Sequence, residues 1–138
     1  MNISSLTTDN ITELLFKIIE FTQTRQKILT QNINNIHEPQ FVPKDLAVDE
    51  FSGSLNNAIS EHILHQRLVL CDTENIKFGV NGNFEVRPII DKYAKDLLKE
   101  KRDEYIELQV NKLLENSLNQ RIAAELLRQK QNMISNFE

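Results

Sequence analysis

His62 and His65 stand one helical turn apart in the run SEHILH, with Glu61 beside them. That spacing sets two imidazoles on one helical face, and the chemistry they could share is a metal. Zinc asks for a third or fourth donor. The other soft donors, His37 and Cys71, stand at no spacing that joins them to this pair. The order is also not His-Glu-x-x-His, which supplies the ligand spacing and general base of a metalloprotease. The pair reads as surface or interface histidines, and no metal is assigned.

Cys71 closes the apolar run LVLC and reads as a small buried hydrophobe. Carboxylates are abundant, but no pair sits in a loop among turn residues and aromatics, as the two acids of a glycosidase do. They read as solvated helical faces. Three glycines cannot build a loop that cradles phosphate. No catalytic residue, cofactor or small-molecule substrate emerges, and the chain reads as non-enzymatic; a small regulatory enzyme domain is the weakest of the readings.

Composition points the same way. The 138 residues make one domain at most. Sixteen basic and twenty acidic residues, spread along the chain, give a net charge of −4 and no electrostatic footprint for nucleic acid. A single cysteine rules out an internal disulfide, which fits a reducing compartment or a protein stabilised by its neighbours. The opening MNISSLTTDN has neither the basic residues nor the apolar stretch of a cleaved secretory signal. No run approaches the ~20 apolar residues of a membrane span.

The elements that would position any site fall into three parts of a single domain, 1–138. Thr8, Asp9 and Asn10 offer N-caps for a first helix over 9–36. Its stripe runs Ile11, Leu14, Leu15, Ile18, Thr22, Arg25, Ile28, Leu29, Asn32, Ile33 and Ile36 at intervals of three and four. Such a helix is roughly 40 Å long and needs a partner along its side. A second stripe, Ile106, Val110, Leu113, Leu114, Leu118, Ile122, Leu126, Leu127, Met133, Ile134 and Phe137, predicts a C-terminal helix over 103–137. The fold class is therefore mainly α, with two long amphipathic helices pairing as a coiled-coil-like hairpin. Every glycine and proline lies between residues 39 and 88, so the middle region, 37–102, is mixed. There a short helix is expected over Leu55–Leu64. RLVLC, IKFGV and FEVRPI read as extended pieces, and NGN at Asn81–Asn83 closes a small hairpin from Ile76 to Val86. Residues 91–102 read as helical.

One stretch carries more. NINNIHEPQF ends the first helix with three asparagines and a proline-bounded corner. Preceded by Arg25, it resembles the N-terminal signature of bacterial flagellar axial proteins, the rod, hook and hook-associated subunits. That signature is an arginine, then Asn-Ile-Ala-Asn, then Thr-Pro-Gly and an aromatic. Arg25 stands at the arginine, Asn32, Ile33 and Asn35 at the core, Pro39 at the proline and Phe41 at the aromatic. Asn34 replaces the alanine and Gln40 the glycine. The chain is most similar to rod subunits of the proximal kind, which also share the PKDLAVDEF lead-in to a short helix. Near the other end, Glu115-Asn116-Ser117-Leu118 is similar to the Asn-Ser/Ala-Leu step of their C-terminal helix, which Leu127 continues. The likeness covers roughly residues 11–60 and 103–137.

The resemblance implies a structural subunit of the flagellar basal-body rod. Such a subunit self-assembles through its terminal helices and transmits torque from motor to hook. Its partners would be other rod and basal-body subunits, the adaptor of the MS ring and the flagellar export apparatus. It would sit in the periplasmic rod, exported without a cleaved signal. Arg25, Asn32, Ile33, Asn35, Pro39, Phe41, Asn116, Leu118 and Leu127 are then expected at the assembly interface. Buried amides and a buried arginine need partners, and in an assembly Arg25, Asn32 and Asn35 would find them on neighbouring subunits. The alternative is a helical coiled-coil adaptor unrelated to flagella, binding a partner helix along its mixed stripe.

Overall fold

The structure, a computed structural model, describes residues 9–79 and 83–136. Within them the order is α1 (Asn10–Asn34), β1 (Lys44–Asp45), α2 (Val48–His65), β2 (Ile76–Lys77), β3 (Glu85–Val86), β4 (Ile89–Ile90), α3 (Lys92–Glu100) and α4 (Arg102–Asn136). The molecule is mainly helical, with a long helix near each end and two small antiparallel sheets between. No described helix is long and apolar enough to cross a membrane.

Asp9 starts α1: its carboxylate accepts the Thr12 N–H at 2.8 Å, satisfying one of the free donors of the first turn. With neither glycine nor proline the helix runs unbroken for 25 residues. It buries Leu14, Leu15, Thr22, Arg25, Leu29 and Asn32, as its stripe predicts. It stops at Asn34, two residues short of the expected end, because Ile36, Glu38 and Phe41 donate to carbonyls three residues back and wind the chain into tight turns. Gln66 is the sole non-glycine with positive φ among the described residues. Gln40, standing where the flagellar signature has glycine, therefore turns this corner without left-handed backbone.

α2 begins earlier than the expected Leu55 and passes straight through Gly53. The glycine's helix penalty is outweighed by Phe51, whose ring stacks on Phe21 of α1 with centroids 4.0 Å apart and 2° between planes. At the far end of α2 the Asn10 amide meets His62 Nδ1 at 3.0 Å, so α2 lies antiparallel beside α1. Gln66 closes the helix in the left-handed region. RLVLC then follows as irregular chain instead of a strand, and Cys71 is exposed, not buried. The backbone of Cys71 is what docks, its carbonyl accepting the Ser54 hydroxyl at 3.0 Å.

The hairpin forms in the expected place, with Ile76 opposite Val86 and Lys77 opposite Glu85. Of its predicted turn, Asn81 and Gly82 lie outside the described residues. Ile76 and Phe78 join Phe21, Leu46 and Phe51 in the core. FEVRPI divides at Pro88: β3 belongs to the hairpin, while β4 pairs with β1, Lys44 opposite Ile90 and Asp45 opposite Ile89. That second ladder was not expected, since two-residue strands carry no periodicity to read.

Asp91 caps α3 by accepting the Ala94 N–H. The chain breaks at Lys101 and enters α4, which runs antiparallel along α1: Tyr105 lies at Asn32, Asn116 at Thr22, and Lys130 reaches Asp9 at 2.6 Å. The pairing of the terminal helices is as expected; the face that α4 turns inward is not. Tyr105, Gln109, Asn116 and Ala123 are buried against α1, while Ile106, Val110, Leu114, Leu118, Ile122, Leu126 and Met133 are exposed. Arg25, Asn32 and the free carbonyls of α1 require hydrogen-bonding partners once buried. Asp45 and Lys44 meet part of that need, and Tyr105, Gln109, Lys112 and Asn116 on the polar side of α4 meet the rest, so that side faces in.

Candidate functional site

Three sets of contacts lock the terminal helices together, and they involve three of the nine residues singled out at the two ends of the chain, Arg25, Asn32 and Asn116. The first centres on Asn32. Its Nδ2 donates to the Lys44 carbonyl at 2.7 Å and to Gln109 Oε1 at 2.9 Å, and its Oδ1 accepts the Lys44 N–H at 3.1 Å. The side-chain amide thus pairs with both backbone groups of Lys44 as a neighbouring strand would. The Tyr105 hydroxyl donates to the Asn32 carbonyl at 2.7 Å. One residue of α1 holds both the strand after the corner and the start of α4.

The second set is ionic. Arg25 Nε and Nη2 donate to the two oxygens of Asp45 at 2.9 and 3.0 Å, a bidentate fork. Lys112 of α4 donates to Asp45 at 2.9 Å and to Asp91 at 2.7 Å. Two cations and two carboxylates alternate, so the cluster carries no net charge into the interior. Burial alone would push the Asp45 carboxyl up. The hydrogen bonds from Arg25 and Lys112, with their charges, outweigh it and hold Asp45 below the ordinary carboxylate range. Burial likewise works to lower Lys112, and the hydrogen bonds from Asp91 and Asp45 overcome it to raise that ammonium. In the third set, Asn116 Nδ2 donates to the Thr22 carbonyl at 2.8 Å, using the second lone pair of a helix carbonyl, while the Thr22 hydroxyl donates back to the carbonyls of Ile18 and Ile19.

Arg25, Asn32 and Asn116, expected to reach neighbouring subunits, are instead occupied within the chain and almost wholly buried. Ile33, Asn35, Phe41 and Leu127 are half-buried; Pro39 and Leu118 are exposed. Pro39 and Phe41 border a shallow surface recess with Ile28, Val42, Pro88 and Ile90. Leu118 lies on the outward side of α4, far from that corner along the helix. His62 and His65 are engaged separately, by Asn10 and Glu61, and no group of three or more His, Cys, Asp or Glu gathers among the described residues.

Asp45, Asp91, Tyr105, Gln109 and Lys112 are the residues that sequence reasoning missed. One signal was present: Arg25 and Asn32 lie seven residues apart on the mixed stripe of α1, and Gln109 and Asn116 lie seven residues apart in the last helix. Two such polar pairs at one spacing match each other.

A second feature lies between α2 and α4, where they do not meet over α1. An apolar groove of about 270 Å³ opens there, floored by Leu15, Ile18 and Phe21 and edged by Leu55 and Leu126. The geometry as a whole contains hydrogen-bonded clamps and apolar faces, an arrangement suited to association. Comparison of the chain with known protein families, with curated proteins and with solved structures yielded no match.

Proposed function

We propose that this chain is a non-enzymatic structural subunit of the bacterial flagellar basal-body rod, of the proximal kind, which joins other rod subunits and carries torque from motor to hook. The observation that supports the reading is the interlock of the two terminal helices. Arg25 and Asn32, quoted for the N-terminal likeness, and Asn116, quoted for the C-terminal one, all serve that one junction. Two separate stretches of likeness thus have a single physical purpose. In this reading the polar residues of the signature set the helix pair, and Pro39, Phe41 and Leu118 are left for neighbouring subunits and for the adaptor of the MS ring. Export through the flagellar apparatus would bring the subunit to the periplasm.

The test is genetic and biochemical. Deleting the gene should abolish swimming and leave basal bodies without a rod, and the tagged chain should co-purify with isolated basal bodies. Unimpaired motility together with absence of the chain from purified basal bodies would sink the proposal. The groove between α2 and α4 favours a second reading, a helical adaptor whose partner supplies a fourth helix. That reading requires a complex of fixed stoichiometry with a non-flagellar protein, abolished by Leu55→Asp.

A further inference from the structure

The outer side of α4 has an unusual construction. Ile106, Val110, Leu114, Leu118 and Ile122 recur at every fourth residue, exposed by 38, 41, 66, 58 and 50% in turn. Monomeric proteins rarely expose so long a continuous apolar strip. The charges beside it are divided along the helix. Asp103, Glu104 and Glu107 outnumber Arg102 in the first half, whereas Arg121 and Arg128 outnumber Glu125 in the second, all of them exposed.

We propose that this face pairs with the same face of a second copy, α4 against α4 in opposite directions about a two-fold axis through Leu114. The register follows from arithmetic on the sequence. An antiparallel pair centred on Leu114 sets Leu114 against its counterpart, Val110 against Leu118 and Ile106 against Ile122. The same register brings Glu107 opposite Arg121, twice by symmetry. Reversal of one copy is what makes the division of charge complementary; a parallel pair would set acid against acid and base against base. The one like-charged meeting is Asp103 with Glu125, and Glu125 is already engaged by Arg128 of its own helix. Four-residue ridges interdigitate at a crossing of roughly 50°. Val110, Leu114 and Leu118 therefore form the centre of the contact, with Ile106, Ile122 and the ion pairs at its rim. An isologous contact of this kind closes at two copies. The inference goes beyond the rod reading and does not depend on it, since it describes the free subunit.

Sedimentation equilibrium on the full chain is the measurement. Wild type should have the mass of two copies, and Leu114→Asp the mass of one with unchanged far-ultraviolet circular dichroism. Glu107→Arg and Arg121→Glu should each weaken the dimer by roughly tenfold, because two pairs are lost and like charges oppose. The double variant should recover most of that loss. A cross-link gives an independent readout: Leu114→Cys in a Cys71→Ser background should oxidise readily to a disulfide-linked dimer, because a residue on the axis meets itself. A wild-type monomer at every attainable concentration, a mass that grows without limit, or a Leu114→Cys chain that does not cross-link would each overturn the proposal. Failure of the charge-reversed double variant to recover would overturn the register.

Discussion

Asp45 holds two cations at once, and that makes it the residue whose ionisation the fold depends on most. Its folded pKa lies below the ordinary 3.8, so its contribution is whole above that pH and is lost as pH falls through the depressed value. Lys112 has the opposite sign: its folded pKa is raised above 10.5, so its share is whole below that value and lost as pH rises. Tyr105 acts on the same alkaline side. Burial, then the nearby charge of Asp91, pushes its phenol up to about 12, so stability falls as pH climbs from 10.0. The urea midpoint should therefore stay level from about pH 4 to 10 and decline beyond both limits. Asp45→Asn should lower the plateau by about 3 kcal/mol, because it leaves the buried Arg25 without a counter-charge, and should flatten the acid decline. A variant with the wild-type plateau and acid limb would show that the cluster is not what holds α4.

The helices and the hairpin tolerate change in opposite ways, and two glycines separate them. A methyl group on Gly53, in the exposed middle of α2, would meet nothing within 4 Å. Gly53→Ala should raise stability by about 0.5–1 kcal/mol through helix propensity and a stiffer unfolded chain. Gly79 has φ +64°, and a Cβ there would collide with the Asn83 carbonyl oxygen. Gly79→Ala should cost about 2 kcal/mol, and urea unfolding of the two variants should move in opposite directions. The elements themselves differed in how far the sequence disclosed them. α1 was legible because its capping residue, unbroken length and stripe agree. The hairpin was legible from the NGN turn signal at Asn81–Asn83 and the extended runs on either side of it. The inner face of α4 was not, because its apolar positions outnumber the polar ones and periodicity assigns the apolar face to the interior. What decided the matter was the need of Asn32 and of the Asp45 carboxylate gripped by Arg25 for further partners, a demand met by Gln109 and Lys112 across most of the chain. No local pattern contains a pairing of that range. The interface residues followed the same logic: Arg25, Asn32 and Asn116 were recognisable as polar groups needing partners, but which chain supplies the partners is a tertiary matter.

At the scale of the whole molecule, α1 and α4 form its longest axis, clamped near one end by Asn32, Tyr105 and Gln109, midway by Asn116, and at the other end by Asp9 with Lys130. Because the helices are antiparallel, the start of α1 and the finish of α4 leave from the same pole. The mechanical response must then depend on where a load is attached. Pulling the two ends of the chain apart opens the Asp9–Lys130 clamp first and then the others in succession, each bearing the load alone, as in unzipping. Pulling the chain at Asn35 against its C-terminal end loads every clamp at once, in shear. Optical-tweezer handles in the second arrangement should need a markedly larger rupture force than handles on the two ends. Hydrogen-bonded clamps are short-ranged and fail after small displacements, so the molecule should be brittle in shear and compliant in peeling, a strut along its axis and a hinge across it.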